Sequence, residues 1–416
     1  MTNDIEIQPL TDQEEDVVAL LNEAYNGWGN EDLFTWKYDE YPDYEPKEHT
    51  FSISIDGELA AFRRVFYKEL TSGSNTIPVY ALGDTAVSGD YQGQGLYSKL
   101  HSHTMEYSSE SDCKKAITYN RKGNITYNAN LDRGWEYRAL PLQLRILSPK
   151  PVLKTYASLV VDEIPAITSI ADLIGDRLHI QTTDGRLTLS ELVRKDTKPA
   201  CQSIGPGLSD TGVMRYVETV NSDGTGIVDI LRESIKLIAG GHITVRSPSS
   251  RSSKSSIEAS QQDGMEIDLV KDIIPAKIDL DEIVQLYDQD VTSFRRTRED
   301  IEHIVGYPGA DLLVARREGN LIGYAVLGPR ENDGVVEGRI LESQSVDDNT
   351  LLSLIGAAEQ RAINRGFDLI LVFSERDFGD KWATIDRQVI MWDELEQTDT
   401  QPLKDTNLQI SLYDVA

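Results

Sequence analysis

A glycine-rich segment in the first quarter of the chain has residue types that can hold a phosphate group. It reads Gln-Gly-Gln-Gly at residues 92–95 and lies between a predicted strand, Val79–Val87, and a predicted helix that begins at Leu96. The first amides of a helix have no partner within the helix and lie at the positive end of its dipole. Glycines carry no Cβ, so a ligand can approach their main chain closely. The segment therefore predicts an anion-binding loop that suits a pyrophosphate.

The predicted strands before this loop indicate the kind of sheet that carries it. Phe51–Ile55 and Leu59–Phe66 flank Asp-Gly at residues 56–57, which is a strong signal for a two-stranded hairpin. A dinucleotide-binding Rossmann site would instead place its glycines inside a strand–helix–strand unit. The hairpin therefore favours a mixed sheet.

The loop and the order of its flanking elements resemble the GCN5-related N-acetyltransferase (GNAT) superfamily. The pyrophosphate loop of that superfamily usually reads Gln/Arg-x-x-Gly-x-Gly/Ala, and Tyr97 stands where the last small residue is usual. Trp-Lys-Tyr at residues 36–38 and Gly-Trp at residues 134–135 are similar to elements of prokaryotic members. The resemblance covers about residues 4–147. It implies a GNAT fold in this part of the chain.

The resemblance also implies a co-substrate and a set of residues that bind it. The co-substrate would be acetyl-CoA or another acyl-CoA, with no metal. The motif strand would splay from the next strand and open a wedge for the pantetheine arm. The expected contacts are Ala86, Val87 and Ser88 for pantetheine, Gln92, Gly93, Gln94, Gly95, Leu96 and Tyr97 for pyrophosphate, and Asn124 as a further cofactor contact.

Acyl transfer to an amine needs a base for the amine proton, an N–H near the thioester oxygen and an acid for the leaving thiolate. Asp84 stands where the family often has a carboxylate, and its side chain should share a strand face with Ala86; a structural carboxylate that binds loop amides is the alternative. The tyrosine that protonates the thiolate in the family is replaced by Asn130. Tyr127 could substitute for it or pack. Asn120 is a further catalytic candidate, although it and Asn124 could instead cap a helix.

Other polar residues of this region are expected to have ordinary surface roles. His101 and His103 follow the loop on its helix, two residues apart, and surface positions are expected for both. Arg63 and Arg64 lie on the predicted hairpin strand. They are expected to pair with nearby acids, and contact with an acidic substrate is the alternative.

The first pattern returns near the end of the chain. Leu312–Arg316 and Leu321–Leu327 flank Glu-Gly-Asn at residues 318–320, as in the first hairpin. After Val346, however, residues 347–350 read Asp-Asp-Asn-Thr and contain no glycine. Two carboxylates at that position would repel phosphates. The second copy is therefore predicted to be a degenerate GNAT-like domain.

These patterns predict an α/β chain with a mixed α+β sheet, a duplicated GNAT fold and a middle α/β region. Prolines at residues 149 and 151 mark a boundary. The predicted divisions are a catalytic domain at 1–147, a middle region at 148–265 with a serine-rich loop at 246–262, a degenerate domain at 266–395 and a tail at 396–416.

Composition narrows the classes of partner. The chain has 416 residues, two cysteines and a net charge of −28. An excess of acids disfavours nucleic acids and acidic membranes as partners, and no apolar run reaches membrane-spanning length. The two cysteines are far apart, so a disulfide framework is not expected and a cytoplasmic location is the default.

The predicted function is an acyl-CoA-dependent N-acyltransferase that acts on the amine of a small molecule or sugar, most simply an N-acetyltransferase. A non-catalytic acyl-CoA-binding module and an aminoacyl-tRNA-dependent transferase are the alternatives. The patterns leave open the acceptor, the acyl length and the oligomeric state.

The acid excess generates a prediction about salt. The 69 acidic residues are spread along the chain rather than confined to one block, as in proteins of a salt-rich cytoplasm. We expect stability to rise from very low to molar salt, because salt screens their mutual repulsion. Thermal unfolding across that range measures the effect. An unchanged midpoint would remove the support for a halophilic source.

Overall fold

The computed structural model describes most of both ends of the chain and little of its middle. The described residues are 7–148 except 11–12, 26, 43 and 73–74; 179–182 and 185–188; 265–395 except 271–279, 288–290, 333, 377 and 379–381; and 403, 406 and 408–415. The predicted serine-rich loop and most of the predicted middle region lie outside them, as does part of the predicted tail. Residues 7–148 are called the first half below, and residues 265–415 the second half.

The first half contains the predicted hairpin, the motif strand and the helix after the loop in the predicted order. Its strands are β1 (Thr50–Ile55), β2 (Glu58–Ser72), β3 (Asn75–Val87), β4 (Lys115–Arg121) and β5 (Glu136–Ile146). Its helices are α1 (Glu14–Tyr25), α2 (Glu31–Phe34), a π-helix at Thr35–Asp39, α3 (Pro46–His49), α4 (Leu96–Ser109) and α5 (Ile125–Asp132). The hairpin turn is confirmed, since Asp56 and Gly57 have φ of 54° and 88° between β1 and β2.

A short antiparallel pair, β6 (His179–Thr182) and β7 (Gly185–Thr188), lies between the halves in sequence. The strands of the second half are β8 (Met265–Val270), β9 (Thr292–Phe294), β10 (Asp311–Arg317), β11 (Asn320–Asn332), β12 (Val335–Ser345), β13 (Leu369–Phe373), β14 (Ala383–Glu394) and β15 (Leu408–Gln409). Its helices are α6 (Leu280–Val284), α7 (Arg298–Val305), α8 (Asp348–Asn364) and α9 (Leu412–Val415). Among the helices described, none is long and apolar enough to cross a membrane.

The second half repeats the arrangement of the first. Its β10–β11 hairpin turns at Glu318 and Gly319, with φ of 54° and 81°, as the predicted repeat requires. Each half then has a parallel strand pair joined by a helix: β3 and β4 around α4, and β12 and β13 around α8. This correspondence supports the predicted duplication.

One mixed sheet runs through both halves and contains 13 strands within the described residues. Their order is β15-β9-β2-β3-β4-β14-β5-β13-β12-β11-β10-β8, and β1 pairs with β2. Strand β14 of the second half therefore lies between β4 and β5 of the first half. Strand β5 in turn lies between β14 and β13. Each half completes its part of the sheet with a strand of the other.

The exchanged strands also contribute to each other's cores. Val389 and Met391 of β14 pack in one buried cluster with Leu100 of α4. Leu144 of β5 packs in another with Leu369 of β13. Burial of a side chain of this size contributes roughly 1.5–3 kcal/mol. Separation of the halves would therefore remove both hydrogen bonds and apolar contacts.

The strand exchange predicts that the first half does not fold alone. Residues 1–147 without β14 would leave β4 and β5 with unpaired edges and an open core. We expect this fragment to lack a cooperative unfolding transition, and co-expression with residues 265–416 to restore one. Circular dichroism during thermal unfolding measures both. A monomeric 1–147 fragment with its own cooperative transition would contradict this expectation.

Candidate active site

Strand β3 separates from β4 partway along its length. The parallel register joins Val79–Leu82 to Lys115–Thr118 and stops there. Strand β3 nevertheless continues to Val87, paired with β2 on its other side through a bulge between Phe62 and Arg64. Parallel strands that diverge leave main-chain groups along the gap without a sheet partner. The opening corresponds to the wedge that the resemblance implies.

The loop after β3 has the backbone shape that its glycines predict. Gly93 and Gly95 have φ of 75° and 77°, in the left-handed region that favours glycine. Gly95 is the N-cap of α4 and provides no side-chain cap, and the first helical hydrogen bond runs from the Lys99 amide to the Gly95 carbonyl. The amides of the first turn are therefore left without an intrahelical partner. A Cβ at either glycine would meet open space, so a pyrophosphate has room there.

The residues predicted to contact pantetheine differ in how far their main-chain groups are already hydrogen-bonded within the chain. Both main-chain groups of Ser88 are engaged within the chain: its amide donates to Ala60 O at 3.0 Å, and its carbonyl accepts from the Tyr91 amide at 3.0 Å. Ala86 and Val87 pair with β2 on one side. Contacts of their main chain with a pantetheine arm stay a prediction. The same contact is less well supported for Ser88, because both of its main-chain groups are already hydrogen-bonded.

The corresponding helix start in the second half is occupied by the protein itself. Asp347 caps α8, because its Oδ1 accepts a hydrogen bond from the Thr350 amide at 2.7 Å. This bond is the largest cause that lowers the pKa of Asp347, so the carboxylate is charged at neutral pH. Asp348 follows and pairs with Arg376. A phosphate would have to displace a bound carboxylate here, whereas no side chain caps the start of α4 in the first half.

Asp84 is held by three side chains and lies at a strained position of β3. Its φ is 36°, in the left-handed region that non-glycine residues rarely adopt. Its carboxylate accepts hydrogen bonds from Tyr38 Oη at 2.9 Å and Trp28 Nε1 at 3.2 Å, and its Oδ2 lies 2.8 Å from Lys37 Nζ. The partners are therefore side chains and not the loop amides of the alternative interpretation. The predicted shared face is confirmed, since Ala86 packs with Trp28 and Tyr38.

The Lys37–Asp84 ion pair is nearly buried, and burial changes the pKa of Lys37 and of Tyr38. The side chains of Lys37 and Asp84 are 7% and 10% exposed. Burial lowers the pKa of Lys37, and the negative charge of Asp84 opposes that shift. Burial raises the pKa of Tyr38 well above its usual value, and Asp84 adds to the shift. Lys37, Tyr38 and Trp28 occupy both carboxylate oxygens of Asp84, so a substrate amine would have to displace one of them to use Asp84 as a direct base.

The other catalytic candidates lie on the opposite face of β3 from Asp84. Tyr127 of α5 packs in the buried cluster that contains Leu82. Its ring is edge-on to Tyr137 with 5.4 Å between centroids. Burial, together with Tyr137, raises the pKa of Tyr127 to about 12, so it stays protonated and can act as a proton donor. The structure does not bring Tyr127 and Asp84 together, and its catalytic role stays a prediction.

The structure shows the contacts of the three asparagines that the sequence singled out. Asn124 caps α5, because its Oδ1 accepts from the Tyr127 amide at 2.6 Å; this confirms the capping alternative. Asn120 is buried on β4, with its Nδ2 at 3.5 Å from Met391 Sδ. Asn130, in the place of the family's tyrosine, is buried, and its Oδ1 has no hydrogen-bond partner. An amide cannot protonate a thiolate, so Asn130 does not replace the missing acid.

The surface position predicted for His101 is wrong. His101 is 4% exposed and stacks on Tyr97 with 6.0 Å between ring centroids. Burial, followed by the charges of Arg63 and Arg133, lowers the pKa of His101 to about 3. The imidazole is therefore neutral at physiological pH. Its position four residues after Tyr97 on α4 was a signal that the two side chains meet.

The expectation that Arg63 and Arg64 pair with acids is also wrong. Arg63 Nε donates to Thr85 Oγ1 at 2.9 Å, and its guanidinium lies 5.3 Å from the Tyr97 ring centroid. Arg63 therefore packs against Tyr97, the bulky residue at which the loop departs from the family's pattern. Arg64 lies between aromatic rings, 4.3 Å from the Tyr44 centroid and 4.4 Å from that of Phe66. Aromatic faces stabilise both cations in place of carboxylates.

No metal ligand set is visible in the parts of the chain that the structure describes. There, no group of three or more His, Cys, Asp and Glu side chains is placed to share an ion.

The Lys37–Asp84 pair predicts a non-additive response to mutation. Asp84→Asn leaves a buried Lys37 without its carboxylate, and we expect it to lower the free energy of unfolding by about 3 kcal/mol. Addition of Lys37→Met should recover most of that loss, because the unpaired charge is removed. Urea unfolding measures both.

The control is Asp281→Asn, which breaks an exposed pair with Arg298 whose atoms lie 3.2 Å apart. Its cost should stay below about 1 kcal/mol. If Asp84→Asn costs no more than this control, the buried pair does not stabilise the bulge of β3.

Comparison with known proteins identifies the family of one segment of the chain. The sequence model of the acetyltransferase (GNAT) family matches residues 15–127. No curated protein matches the chain. Among solved structures, Saccharomyces cerevisiae N-myristoyltransferase with bound myristoyl-CoA and inhibitors is similar in fold, with a TM-score of 0.56 and 13% identity over 100% of this chain and 87% of that one.

A second similar structure is a conserved protein of unknown function from Enterococcus faecalis V583, described as a probable N-acyltransferase. Its TM-score is 0.50 at 9% identity, over 95% of this chain and 73% of that one. At these identities the likeness establishes the fold. The sequence match, the shared fold and the loop after β3 agree, and the chain therefore carries a domain of the acetyltransferase (GNAT) family at residues 15–127.

Proposed function

We propose that this protein is an acyl-CoA-dependent N-acyltransferase, most simply an N-acetyltransferase, that acts on the amine of a small molecule or sugar. The single observation that carries the proposal is the opening between β3 and β4, which ends at the uncapped start of α4. An extended pantetheine arm fits between diverging strands, and a pyrophosphate fits the free amides of a helix start. Both features lie in the segment that matches the GNAT family.

The second half would support the site without binding a second acyl-CoA. Its helix start is filled by the Asp347 carboxylate, and Asp348 adds a further negative charge. Phosphates would meet both electrostatic repulsion and a competing cap. One acyl-CoA per chain is the expected stoichiometry.

In the proposed reaction the amine nitrogen attacks the thioester carbonyl carbon. A C–N bond forms as the C–S bond breaks, the amine loses one proton and the CoA sulfur gains one. Tyr127 is the candidate donor to sulfur, since burial keeps its hydroxyl protonated. Asp84 is bound by Lys37, Tyr38 and Trp28. It would therefore hold the bulge of β3, with the amine proton leaving to water.

The acyl length stays open in this proposal. The bound ligand of the similar yeast structure is myristoyl-CoA, whereas the matched family is described as an acetyltransferase family. Acetyl-CoA and myristoyl-CoA are therefore both suitable probes.

A non-catalytic acyl-CoA-binding module is the second candidate, and two observations favour it. The Asp84 carboxylate is fully engaged, and a buried asparagine replaces the family's acid at residue 130. Such a module would bind acyl-CoA but release no CoA in the presence of amines.

A matched pair of glycine variants tests the loop. Gly95→Ala and Gly319→Ala each place a Cβ at a left-handed residue in open space, with φ of 77° and 81°. Both should cost roughly 1–2 kcal/mol of stability through backbone strain. Only Gly95→Ala should weaken acyl-CoA binding, by about tenfold or more, because it shifts the amides of the helix start.

Calorimetry with acetyl-CoA and myristoyl-CoA measures binding, and release of the CoA thiol across a panel of amines measures turnover. Binding with turnover supports the transferase, and binding without turnover supports the module. If neither thioester binds, or if both glycine variants bind equally well, the site is not the loop after β3.

A further inference from the structure

The parallel strands of the second half also separate partway along their length. The β12–β13 register joins residues 337–339 to residues 369–371 and stops there. Strand β12 nevertheless continues to Ser345 against β11, and β13 continues to Phe373 against β5. Each strand therefore keeps a partner along its outer edge, while the edges that face each other lose theirs. This gap is called the second opening below.

A cavity of about 290 Å³ lies in the second opening. Both diverging strands line it, with residues 343–345 on one side and residues 372–374 on the other. Leu140 and Pro141 of the first half line it as well. Cavities that hold small ligands begin at roughly 300 Å³. The second opening is therefore a preformed space of ligand size to which both halves contribute.

The main chain of β12 directs amides towards this cavity. The Val346 amide donates to the Ile322 carbonyl of β11 at 2.9 Å, so strand alternation turns the Ser345 amide to the opposite side, where the cavity lies. The amides of Ser343 and Ser345 each donate to the side-chain Oε1 of the preceding residue at 3.3 Å. These bonds are longer than usual for N–H···O, so a better acceptor can replace them. An extended chain in the cavity can therefore pair with β12 as an added strand.

The charged side chains at the mouth of the second opening are already paired. Arg376 binds Asp348, and Glu375 binds Arg138 of the first half at 2.7 Å. Asp347 caps the start of α8. An anionic ligand would be repelled by these carboxylates, and a cationic ligand would have to compete with arginines for them. The charges therefore favour an uncharged ligand.

Apolar side chains line the cavity on both faces of the sheet. Val372 packs in one cluster with Leu351 of α8, whereas Phe373 packs in another with Leu408 and Ile410. Val372 and Phe373 follow each other on β13, so the two clusters lie on opposite faces. Successive side chains of any extended chain also point to opposite faces. Each side chain of a strand added here would therefore meet an apolar wall.

We infer that the second opening binds an extended, uncharged peptide segment with apolar side chains, which pairs with β12 as an added strand. The three residues of β12 that line the cavity match about three residues of such a segment, because extended chains share the same rise. Valine and similar β-branched side chains suit this conformation best. The inference goes beyond the proposed function, since it assigns a ligand to the second half and requires no acyl transfer.

The second opening is separate from the opening between β3 and β4. Strands β4, β14, β5 and β13 lie between the two gaps in the sheet. At a spacing of about 4.8 Å per strand, the gaps are about 19 Å apart along the sheet. A peptide and an acyl-CoA can therefore be bound at the same time, and we expect them not to compete.

Calorimetry with N-acetyl-trivaline amide, an uncharged peptide, tests the inference on the full chain. The peptide should bind once per chain, with the same affinity in the presence of acetyl-CoA. A version with methylated main-chain nitrogens cannot add as a strand and should bind about tenfold more weakly or worse. Decanamide, an apolar chain of similar size, should also bind more weakly.

Absence of peptide binding, or equal binding of the methylated peptide or of decanamide, would overturn the inference. Competition by acetyl-CoA would place the peptide in the other opening and overturn it too. The proposed function is tested separately: if acetyl-CoA neither binds nor reacts, that function fails, whereas selective peptide binding would still support the second site.

A matched pair of variants locates the bound peptide. Ser343→Phe fills part of the cavity and should weaken peptide binding about tenfold or more. The control, Ser353→Phe, makes the same change at an equally half-buried residue of α8 that lies outside the cavity lining, and should leave binding unchanged. Equal binding by both variants would overturn the inference.

Hydrogen exchange gives a second measurement that needs no variant, in case Ser343→Phe does not fold. In the unchanged protein, bound peptide should slow exchange of the Ser343 and Ser345 amides by about tenfold or more, because it replaces their long side-chain bonds with strand pairing. Exchange that stays the same at saturating peptide would overturn the inference.

Discussion

Pairing of β14 with β4 is the interaction on which the rest of the structure depends. Seven residue pairs join the two strands along the whole of β4, from Lys115 to Arg121. Strand β3 is held in the same way by β2 on its other side. Where β3 and β4 diverge beyond Thr118, each strand therefore still has a partner along its outer edge, and only the edges that face the gap lack one. A strand of the second half thus supports one side of the opening proposed to receive the acyl-CoA.

The two halves differ in the charge at the start of the helix that joins their parallel strands. In each half a helix begins after the first strand of the parallel pair. Its N-cap is Gly95 in the first half and Asp347 in the second half. A glycine leaves amide donors and a positive dipole end to a ligand, whereas an aspartate consumes them. The proposed division of labour follows: the first half binds the thioester, and the second half supports the site without binding a second one.

The strained bulge at Asp84 shows how charge and backbone geometry support each other. A left-handed φ at a non-glycine residue persists only where its surroundings hold it. Three donors from the segment 28–38 bind the carboxylate, and the Trp36 ring next to Lys37 packs on the second half. Strain next to the opening is therefore stabilised by contacts from both halves, which ties the geometry of the proposed site to their association.

Short sequence motifs predicted those features of the structure that depend only on neighbouring residues. The turns at Asp56-Gly57 and Glu318-Gly319 and the glycines of the loop need positive φ, and residue type alone decides that. The exchange of β14 and β5, the burial of His101 and the Lys37–Asp84 pair were not predicted. They depend on residues far apart in the chain, and only the packed tertiary structure decides which strand edges stay free and which cations reach a carboxylate.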